Sequence, residues 1–349
     1  MLGKNENMKR ASGLYGKLCN PSVIRVAHEL SKLGKGHYRE VKMVDEDVDY
    51  YCSVIVDELR QGIYKTSKYK EVSKHDGRKM RVIHKLPYYP DRIVQTAIVL
   101  VCRDIWEPHF IRDTFQSIPK RGTSDARKRV LRAMKKKPRF ALKMDIKKFY
   151  PSVNNDILKG VLRRKIKDKR MLNLLDELVD SISGLPIGNY TSQYFGNLYL
   201  TPFDWWMKQE KGARFYFRYC DDMIVLSDNK SWLHGLKREC DEYLSKYDLK
   251  IKEDWQVYDV KKEGVDFCGY RFYHGYTLLR TSIKKKMKKR CNFVKGNWLA
   301  LSEVKIVNSI MSYWGWIKPV NAKNLWRSVV DAKIIRILRN TNPNVKADI

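Results

Sequence analysis

The feature that most constrains the fold is a pair of adjacent carboxylates between two apolar runs. The segment FYFRYCDDMIVLS (215–227) places Asp221 and Asp222 between stretches rich in aromatic and β-branched residues. Such stretches favour strands, so we predict a hairpin with the carboxylates at its turn. A second apolar segment, RFALKMDIKKFY from Arg139, predicts a buried strand that ends at Asp145. Carboxylates crowded beside buried strands repel one another, and a bound divalent cation relieves that repulsion.

The donor atoms of these three aspartates indicate which ion they would bind. Oxygen ligands without nearby His or Cys suit Mg²⁺ rather than zinc. Two such ions could activate a 3′-hydroxyl and stabilise a leaving pyrophosphate. A Y-x-D-D sequence is a weak signal by itself, because a D-D pair is often an ordinary polar turn of a hairpin. The prediction therefore depends on other motifs that accompany it in order.

The charge of the chain indicates its partner. The 349 residues suit one multi-lobed domain or two to three subdomains, and 43% hydrophobic and 12% aromatic residues argue against disorder. The 70 Lys and Arg residues against 39 Asp and Glu give a net charge of +31, which favours a polyanion such as nucleic acid. A basic membrane-surface protein would need an amphipathic helix or a lipidation signal, and neither is evident. A merely solubilising surface is the other alternative.

Cysteine usage and hydropathy bear on the compartment. The seven cysteines include no C-x-x-C pair, which argues against a zinc site, and their odd number argues against a disulfide framework. The N-terminal segment lacks the apolar core of a signal peptide, and no run of 18 apolar residues occurs. We therefore expect a soluble, cytoplasmic protein without a membrane partner.

Helical and strand patterns alternate along the chain without an internal repeat. Residues 1 to about 70 indicate mainly helices, and KHDGRKMRVIHKL (74–86) indicates a hairpin with a D-G turn. VDFCGYRFY, from Val265, predicts one short strand with a glycine break. Further helices are expected from Asp91 with an acidic first turn, at about 155–165 and 171–183, from Thr191, and at about 230–246.

The composition changes beyond about Leu279, which is the candidate subdomain boundary. KKKMKKR (284–290) is a basic run, and helical patterns that carry several tryptophans follow it. Apolar residues recur there at helical spacing and predict a helical core formed by Ile306, Ile310, Trp314 and Ile317. Tyr313 and Trp316 are further candidates for this core.

Several ordered segments carry a family resemblance. MDIKKFYPSV (144–153), GLPIGNYTSQYFGNLYL (184–200), FRYCDDMIVLS (217–227) and FCGY (267–270) resemble the successive palm motifs of reverse transcriptases. RVIHKLPYYPDRIVQ (81–95) and FQSIPKRGTSDA (115–126) look like the fingers motifs. IMSYWGWIKPVNAKNLW (310–326) is similar to the thumb region of retron, group II intron and related bacterial enzymes. The resemblance covers roughly residues 74–326.

The resemblance implies an α+β right-hand polymerase fold with fingers, a palm of antiparallel sheet plus helices, and a helical thumb. Residues 1–70 would form an N-terminal helical extension. The other predicted divisions are fingers at 71–140, with 155–190 shared between fingers and palm, palm at 141–275 and thumb at 276–349.

The resemblance also assigns roles around the metal site. Asp145 and Asp221 would bind both metal ions, Asp222 would complete the cluster, and the Ile146 carbonyl would be a further ligand. The expected cofactor is two Mg²⁺ ions, with Mn²⁺ as a substitute. Tyr150 matches the ring that packs under the sugar and excludes a 2′-hydroxyl, and a plain core aromatic is the alternative.

Nucleotide and primer contacts follow from the same resemblance. Arg81 matches the fingers arginine that lies on the incoming base and reaches the α-phosphate. Lys74 or Arg78 would contact the γ-phosphate. The alternative is an exposed basic hairpin that contacts no ligand. Lys250 and Lys252 are both candidates to protonate pyrophosphate. The primer grip, or alternatively a buried strand end, would comprise Phe267, Cys268, Gly269 and Tyr270.

The loop before the Y-x-D-D motif indicates a lineage. Most reverse transcriptases carry Gln-Gly and then Ser-Pro here, whereas this chain has Ile187-Gly188 and then Ser192-Gln193. That pattern resembles the enzymes of diversity-generating retroelements, which copy a template-repeat RNA with errors at template adenines. Ile187, Gly188 and Gln193 would all contact the incoming nucleotide. The apolar side chain of Ile187 would contribute shape alone, and such contacts discriminate poorly between bases. Packing at the fingers–palm junction is the alternative role of Ile187.

The lineage implies a bacterial or phage-infected cell as the host, and it implies partners. These are the template-repeat RNA, the RNA–cDNA heteroduplex, dNTPs and a small basic accessory variability determinant that forms a pentamer. The basic run 284–290 would track phosphates of the heteroduplex. The alternatives are a retron, defence-associated or group II-like bacterial reverse transcriptase, and a non-catalytic, maturase-like RNA-binding protein.

Overall fold

The structure is a computed structural model that describes residues 10–76 and 79–341. The chain divides into two compact units. Unit 1 comprises Met1–Gly122, Met144–Met223 and His234–Trp255, and unit 2 comprises Thr123–Lys143, Ile224–Leu233 and Gln256–Ile349. The predicted division into N-terminal extension, fingers, palm and thumb follows other boundaries and stays a prediction.

Helices make up most of the described chain. They are α1 (Leu14–Leu18), α2 (Pro21–Ser31), α3 (Arg39–Glu46), α4 (Val48–Gln61), α5 (Ile93–Trp106), α6 (Thr123–Met134), α7 (Phe149–Ser152), α8 (Asn155–Arg163), α9 (Lys169–Asp180), α10 (Tyr190–Gln209), α11 (Lys230–Ser245), α12 (Val260–Glu263), α13 (Thr281–Gly296), α14 (Glu303–Ile317), α15 (Lys323–Val329) and α16 (Ala332–Thr341). The helical N-terminal region and the later helices are thereby confirmed. No helix in this described part is long and apolar enough to cross a membrane.

Ten strands complete the described elements. They are β1 (Lys70–Asp76), β2 (Lys79–Lys85), β3 (Thr114–Phe115), β4 (Phe140–Asp145), β5 (Tyr216–Tyr219), β6 (Asp222–Ser227), β7 (Gln256–Asp259), β8 (Val265–Phe267), β9 (Tyr270–Phe272) and β10 (Thr277–Leu279). They form a β1-β2 hairpin, a β10-β9-β8 sheet and a five-stranded sheet in the order β3-β5-β6-β4-β7. A mixed α+β architecture is confirmed. The sheet is not purely antiparallel as expected, because β3 pairs with β5 in parallel.

One local prediction needs correction, and another is confirmed. The segment from Val265 forms two strands rather than one, because Cys268 and Gly269 adopt positive φ angles of 48° and 84° and turn the chain back. Asp91 lies in a π-helical turn, Tyr88–Arg92, that leads directly into α5, so the predicted helix with an acidic first turn is confirmed. The buried Asp91 also accepts hydrogen bonds from the Tyr64 hydroxyl at 2.8 Å and the Ser67 amide at 3.1 Å.

Each unit has an apolar core of its own. In unit 1, α5 packs against α2 and α10. The helix carries apolar residues on all of its faces, and most of its side chains are buried. In unit 2, α14 packs against α13 and α16. The residues that the spacing predicted as core of α14 are all buried: Ile306, Ile310, Trp314 and Ile317. The predicted helical core is therefore confirmed.

Candidate active site

Asp145 ends strand β4, where the chain continues into a short antiparallel pairing. Ile146 faces Ile251 in a bridge, and the Lys252 amide donates to the Asp145 carbonyl at 2.8 Å. The Lys147 amide donates to the Lys250 carbonyl, also at 2.8 Å. Ile146 is fully buried, so alternation places Asp145 and Lys147 on the opposite, accessible face. The pairing therefore fixes Asp145 beside one of the two candidate lysines.

The carboxylate of Asp145 pairs with the ammonium of Lys252. The two side chains are 33% and 30% exposed, so both are accessible to solvent. Burial raises the pKa of Asp145, Lys252 opposes this shift, and the negative charge of Asp221 adds to it. The structure thus brings Asp145 close enough to Asp221 for the two charges to interact.

Asp221 and Asp222 lie at the turn between β5 and β6, as predicted. Cys220 takes a left-handed conformation with φ of 56°, and Asp222 is the first residue of β6. Arg218, on β5, donates from Nη1 to the Cys220 carbonyl at 3.0 Å. Sequence reasoning missed Arg218, although a charged residue in the apolar run FYFRY was a visible signal.

The donor atoms of the three aspartates fit a divalent ion. Three carboxylates at the ends of neighbouring strands are the oxygen donors that Mg²⁺ takes. Asp145 already holds a cation, the Lys252 ammonium, so this position stabilises positive charge. Among the described residues, a different set of three side chains has its possible metal-ligand atoms within 4.8 Å of one another, namely His28, Glu29 and Asp45. The three aspartates fit a metal, but they are not drawn together as closely as that group.

The His28 group is held by other contacts. Lys32 pairs with Asp45 at 2.9 Å and with Glu29 at 2.8 Å, and the ring nitrogens of buried His28 contact Asp45 and the Tyr88 hydroxyl. A cation and hydrogen bonds already satisfy these atoms, which is the behaviour of a structural network.

Tyr150 lies beside the turn that carries the aspartates. Its hydroxyl is 3.9 Å from Cys220 Sγ, and burial raises the pKa of the phenol. Gly196 of α10 lies against the Phe149 and Tyr150 rings, where an added Cβ would be 3.2 Å from each. The small size of Gly196 therefore lets the Tyr150 ring pack beside the turn that carries Asp221 and Asp222.

The loop 184–189, which precedes α10, connects Tyr150 to the hairpin. At its start, the Leu185 amide donates to the Tyr150 carbonyl at 2.8 Å. At its tip, the His84 amide of β2 donates to the Ile187 carbonyl at 3.0 Å. Gly188 has φ of 133°, and an added Cβ would be 2.5 Å from the His84 carbonyl oxygen. The side chain of Ile187 remains partly exposed in this loop.

The remaining nucleotide-binding candidates lie on the hairpin and on α10. Lys74 faces Arg81 across β1 and β2, and both side chains are exposed. Arg78 lies outside the described residues. Gln193 is exposed on the first turn of α10 and accepts a hydrogen bond from Ser117 Oγ. The hairpin therefore presents two aligned cations, as a triphosphate contact would require.

The primer-grip candidates form the β8–β9 turn of unit 2. Phe267 and Tyr270 are buried, as the alternative of a buried strand end predicted. Gly269 lies against the thumb-motif tryptophan, because an added Cβ would be 2.6 Å from Trp316 Cζ3. Cys268 and Gly269 are buried as well, so the burial of all four candidates agrees with that alternative.

A basic cavity of about 620 Å³ lies in unit 1, where Gly188 forms part of its wall. Burial lowers the pKa of Lys35, and the positive charge of Arg92 contributes to this shift. Glu40 also lines the cavity and accepts a hydrogen bond from the Tyr88 amide. The cations that line it are Lys35, Arg39, Lys68, Lys70, Lys85 and Arg92. Such an excess of positive charge suits an anionic ligand.

Comparisons with known proteins agree with these motifs. YkfC of Escherichia coli (strain K12) is 22% identical over 311 residues. The match covers 74% of this chain and 81% of YkfC. The group II intron-encoded protein LtrA of Lactococcus lactis subsp. cremoris is 25% identical over 215 residues. That match covers 57% of this chain but only 35% of LtrA.

A solved structure supports the fold. Apo telomerase from Candida tropicalis aligns with a TM-score of 0.50 at 14% identity, over 81% of this chain and 60% of that chain. This likeness supports the right-hand polymerase fold alone. The model of the family described as reverse transcriptase (RNA-dependent DNA polymerase) matches residues 72–272, more than half of the chain. The range includes Asp145, Asp221 and Asp222, and the chain belongs to the reverse transcriptase family.

Proposed function

We propose that this reverse transcriptase copies a template-repeat RNA into cDNA with errors at template adenines, for mutagenic replacement of a variable gene segment. The observation that carries the proposal is the position of Ile187. Its loop is hydrogen-bonded to the Tyr150 backbone at one end and to strand β2, which carries Arg81, at its tip. An apolar side chain between two candidate nucleotide-binding elements offers shape but no directed hydrogen bond, so it discriminates weakly between bases.

The aspartates would supply the catalytic centre. Asp145, Asp221, Asp222 and the Ile146 carbonyl would hold two Mg²⁺ ions, with Mn²⁺ as a substitute. When bound, such ions activate a 3′-hydroxyl and stabilise a leaving pyrophosphate. The half-buried ring of Tyr150 beside the turn would exclude a ribose 2′-hydroxyl by clash.

The hairpin and the β8–β9 turn would position the reacting strands. Arg81 and Lys74, which face each other on the hairpin, would bind the triphosphate of the incoming dNTP. Gly188 and Gln193 would flank the same nucleotide. The backbone of Phe267, Cys268, Gly269 and Tyr270 would support the primer end.

The distribution of basic residues supports an RNA template and an RNA–cDNA heteroduplex. In α13 the lysines of the run 284–290 are exposed, whereas Met287 is buried, so the helix presents a cationic face. The cavity beside Gly188 adds a second cationic surface in unit 1. Backbone contacts of this kind bind without sequence preference and depend strongly on salt. The pentameric accessory variability determinant is proposed as a further partner from the lineage alone.

Primer extension followed by cDNA sequencing tests the proposal. The full chain would be incubated with Mg²⁺, dNTPs and a primed RNA, with Asp221→Asn as the control. Aspartate-dependent product with errors concentrated at template adenines is the expected result. Accurate copying, or errors spread evenly over the four template bases, would contradict the diversity-generating role.

A reaction without product is resolved by adding the cognate RNA and the accessory protein. Product that appears only then supports the proposal and identifies a required partner. No product under any of these conditions would favour the non-catalytic, maturase-like RNA-binding protein. Clustered carboxylates argue against that reading, because an RNA-binding surface gains nothing from anionic groups.

A second candidate is faithful copying by a retron, defence-associated or group II-like enzyme. The similarity to LtrA favours the group II-like alternative. The error spectrum separates it from the proposed function, since the same catalytic aspartates would serve both.

A further inference from the structure

Lys252 and Asp145 are cross-strand neighbours in the short pairing after β4. The Ile146–Ile251 bridge and the hydrogen bond from the Lys252 amide to the Asp145 carbonyl set this register. In an antiparallel pair, residues directly opposite each other project from the same face of the sheet. The backbone therefore directs the Lys252 side chain to the Asp145 carboxylate, and the observed ion pair follows from the register.

The Lys252 ammonium occupies the Asp145 carboxylate, which would bind a divalent metal ion in the proposed function. A carboxylate oxygen that accepts the Lys252 ammonium is not available in full to a divalent ion. An ammonium and a divalent ion also repel each other at such distances, more strongly in a partly buried site than in water. Ammonium and metal must therefore compete for Asp145.

We infer that Lys252 is an internal counter-cation of Asp145, which a divalent ion displaces when it binds. Lys252 stabilises the aspartate site while no metal is bound, and it weakens the affinity for the entering ion. Metal binding in turn releases the ammonium of Lys252 from Asp145. This inference rests on the proposed role of Asp145 as a metal ligand.

The coupling is reciprocal by thermodynamic linkage. If metal binding detaches Lys252, then removal of the Lys252 charge must tighten metal binding by the corresponding factor. We expect a change of about tenfold in the Kd for the divalent ion, which is the size of a typical coupling between two sites. Lys252 is a positioning residue in this scheme, and it acts on the metal through Asp145.

The first test measures Mn²⁺ binding to the full chain without nucleic acid or dNTP, by electron paramagnetic resonance of free Mn²⁺. Lys252→Gln should bind Mn²⁺ about tenfold more tightly than the unsubstituted chain. Lys250→Gln is the matched control, because it removes the same charge two residues earlier on the same strand, at an exposed position. It should change the Kd by less than about twofold, and Lys252→Arg, which keeps the charge, should resemble the unsubstituted chain.

The outcomes separate this inference from the proposed function. Equal effects of Lys252→Gln and Lys250→Gln would overturn the inference, because net charge alone would then explain them. Weaker Mn²⁺ binding by Lys252→Gln would also overturn it. If Asp145→Asn does not weaken Mn²⁺ binding, the metal is not at Asp145, and the proposed catalytic centre fails with it.

A second test uses the unsubstituted chain, so it does not depend on a variant that folds. Limited acetylation of lysines with and without saturating Mg²⁺, read by peptide mass spectrometry, reports how accessible each ammonium is. Acetylation of Lys252 should rise several-fold with Mg²⁺, while acetylation of Lys250 should stay constant. Unchanged or reduced acetylation of Lys252 at a Mg²⁺ concentration that saturates binding would overturn the displacement.

Discussion

Arg218 and Asp204 form a fully buried ion pair next to the turn that carries Asp221 and Asp222. Arg218 Nε lies 2.8 Å from Asp204 Oδ1, and Nη2 lies 2.6 Å from Oδ2. Both side chains are 0% exposed. The third nitrogen of the guanidinium donates to the Cys220 carbonyl and to Asn197 Oδ1. One planar group therefore connects helix α10 to the β5–β6 turn, and this geometry suits Arg rather than Lys.

We predict that Arg218→Met lowers the free energy of unfolding by about 3–5 kcal/mol, because it leaves the Asp204 charge buried without its partner. Thermal or denaturant unfolding measures this loss. A second change, Asp204→Asn, removes the unpaired charge and keeps a side chain that can bond to the Tyr216 and Thr114 hydroxyls.

The double variant distinguishes positioning from folding. It should regain at least half of the lost stability, since no buried charge remains unpaired. Its kcat should stay about tenfold or more below that of the unsubstituted enzyme, because no donor holds the Cys220 carbonyl. Recovery of kcat together with stability would show that Arg218 matters for folding alone.

Gly188→Ala should disrupt the contact between the Ile187 loop and strand β2. Its φ of 133° is unfavourable for alanine, and the new Cβ would be 2.5 Å from the His84 carbonyl oxygen, which belongs to backbone. We expect a loss of about 1–3 kcal/mol in the free energy of unfolding. The kcat/KM for dNTP should also fall, because the loop must move away from the hairpin.

Gly212→Ala is the matched control for Gly188→Ala. Gly212 also has positive φ, at 60°, but no atom lies within 4 Å of an added Cβ. It should lose stability through strain while kcat/KM for dNTP stays unchanged. If Gly188→Ala leaves kcat/KM unchanged as well, the loop does not contribute to nucleotide binding.

Tyr150→Ala should allow ribonucleotides into the product. The ring packs against Phe149 with 5.5 Å between ring centroids, next to Gly196 and the turn that carries Asp221 and Asp222. Its removal opens the space that a 2′-hydroxyl would need, and selectivity for dNTP over rNTP should fall at least about tenfold. Tyr150→Phe keeps the ring and should keep the selectivity. Single-nucleotide extension with each substrate measures the ratio, and an unchanged ratio for Tyr150→Ala would assign the ring to the core only.

The sequence predicted the elements that local pattern determines. The strand ending at Asp145 and the hairpin around Asp221 follow from apolar, β-branched runs that stop at polar residues. Contacts distant in sequence were not predictable, because no periodicity pairs Arg218 with Asp204 or Asp91 with Tyr64. For the same reason the sequence could not choose between the two candidate lysines.

The register of the pairing shows which of those lysines lies beside Asp145, while the residue that protonates pyrophosphate stays a prediction. Lys250 and Lys252 share one face of the pairing, and only the register shows that Lys252 lies opposite Asp145. The turn at Cys268 and Gly269 was ambiguous in a similar way. A glycine within an apolar run permits either a bulge or a reversal, and contacts with Trp316 accompany the reversal.

Ile187→Gln should lower the error rate at template adenines. Ile187 is partly exposed, and its carbonyl is fixed by the His84 amide, so the substitution changes the side chain at a defined position. Glutamine can both donate and accept hydrogen bonds, and a directed hydrogen bond rejects a wrong partner more strongly than apolar contact does. Sequencing of cDNA made on an adenine-rich RNA measures the error rate at each template base. Ile187→Leu is the control, which keeps an aliphatic side chain and should keep the error spectrum. If the spectra of the Gln and Leu variants match that of the unsubstituted enzyme, Ile187 is a packing residue, and adenine errors must arise elsewhere in the nucleotide site.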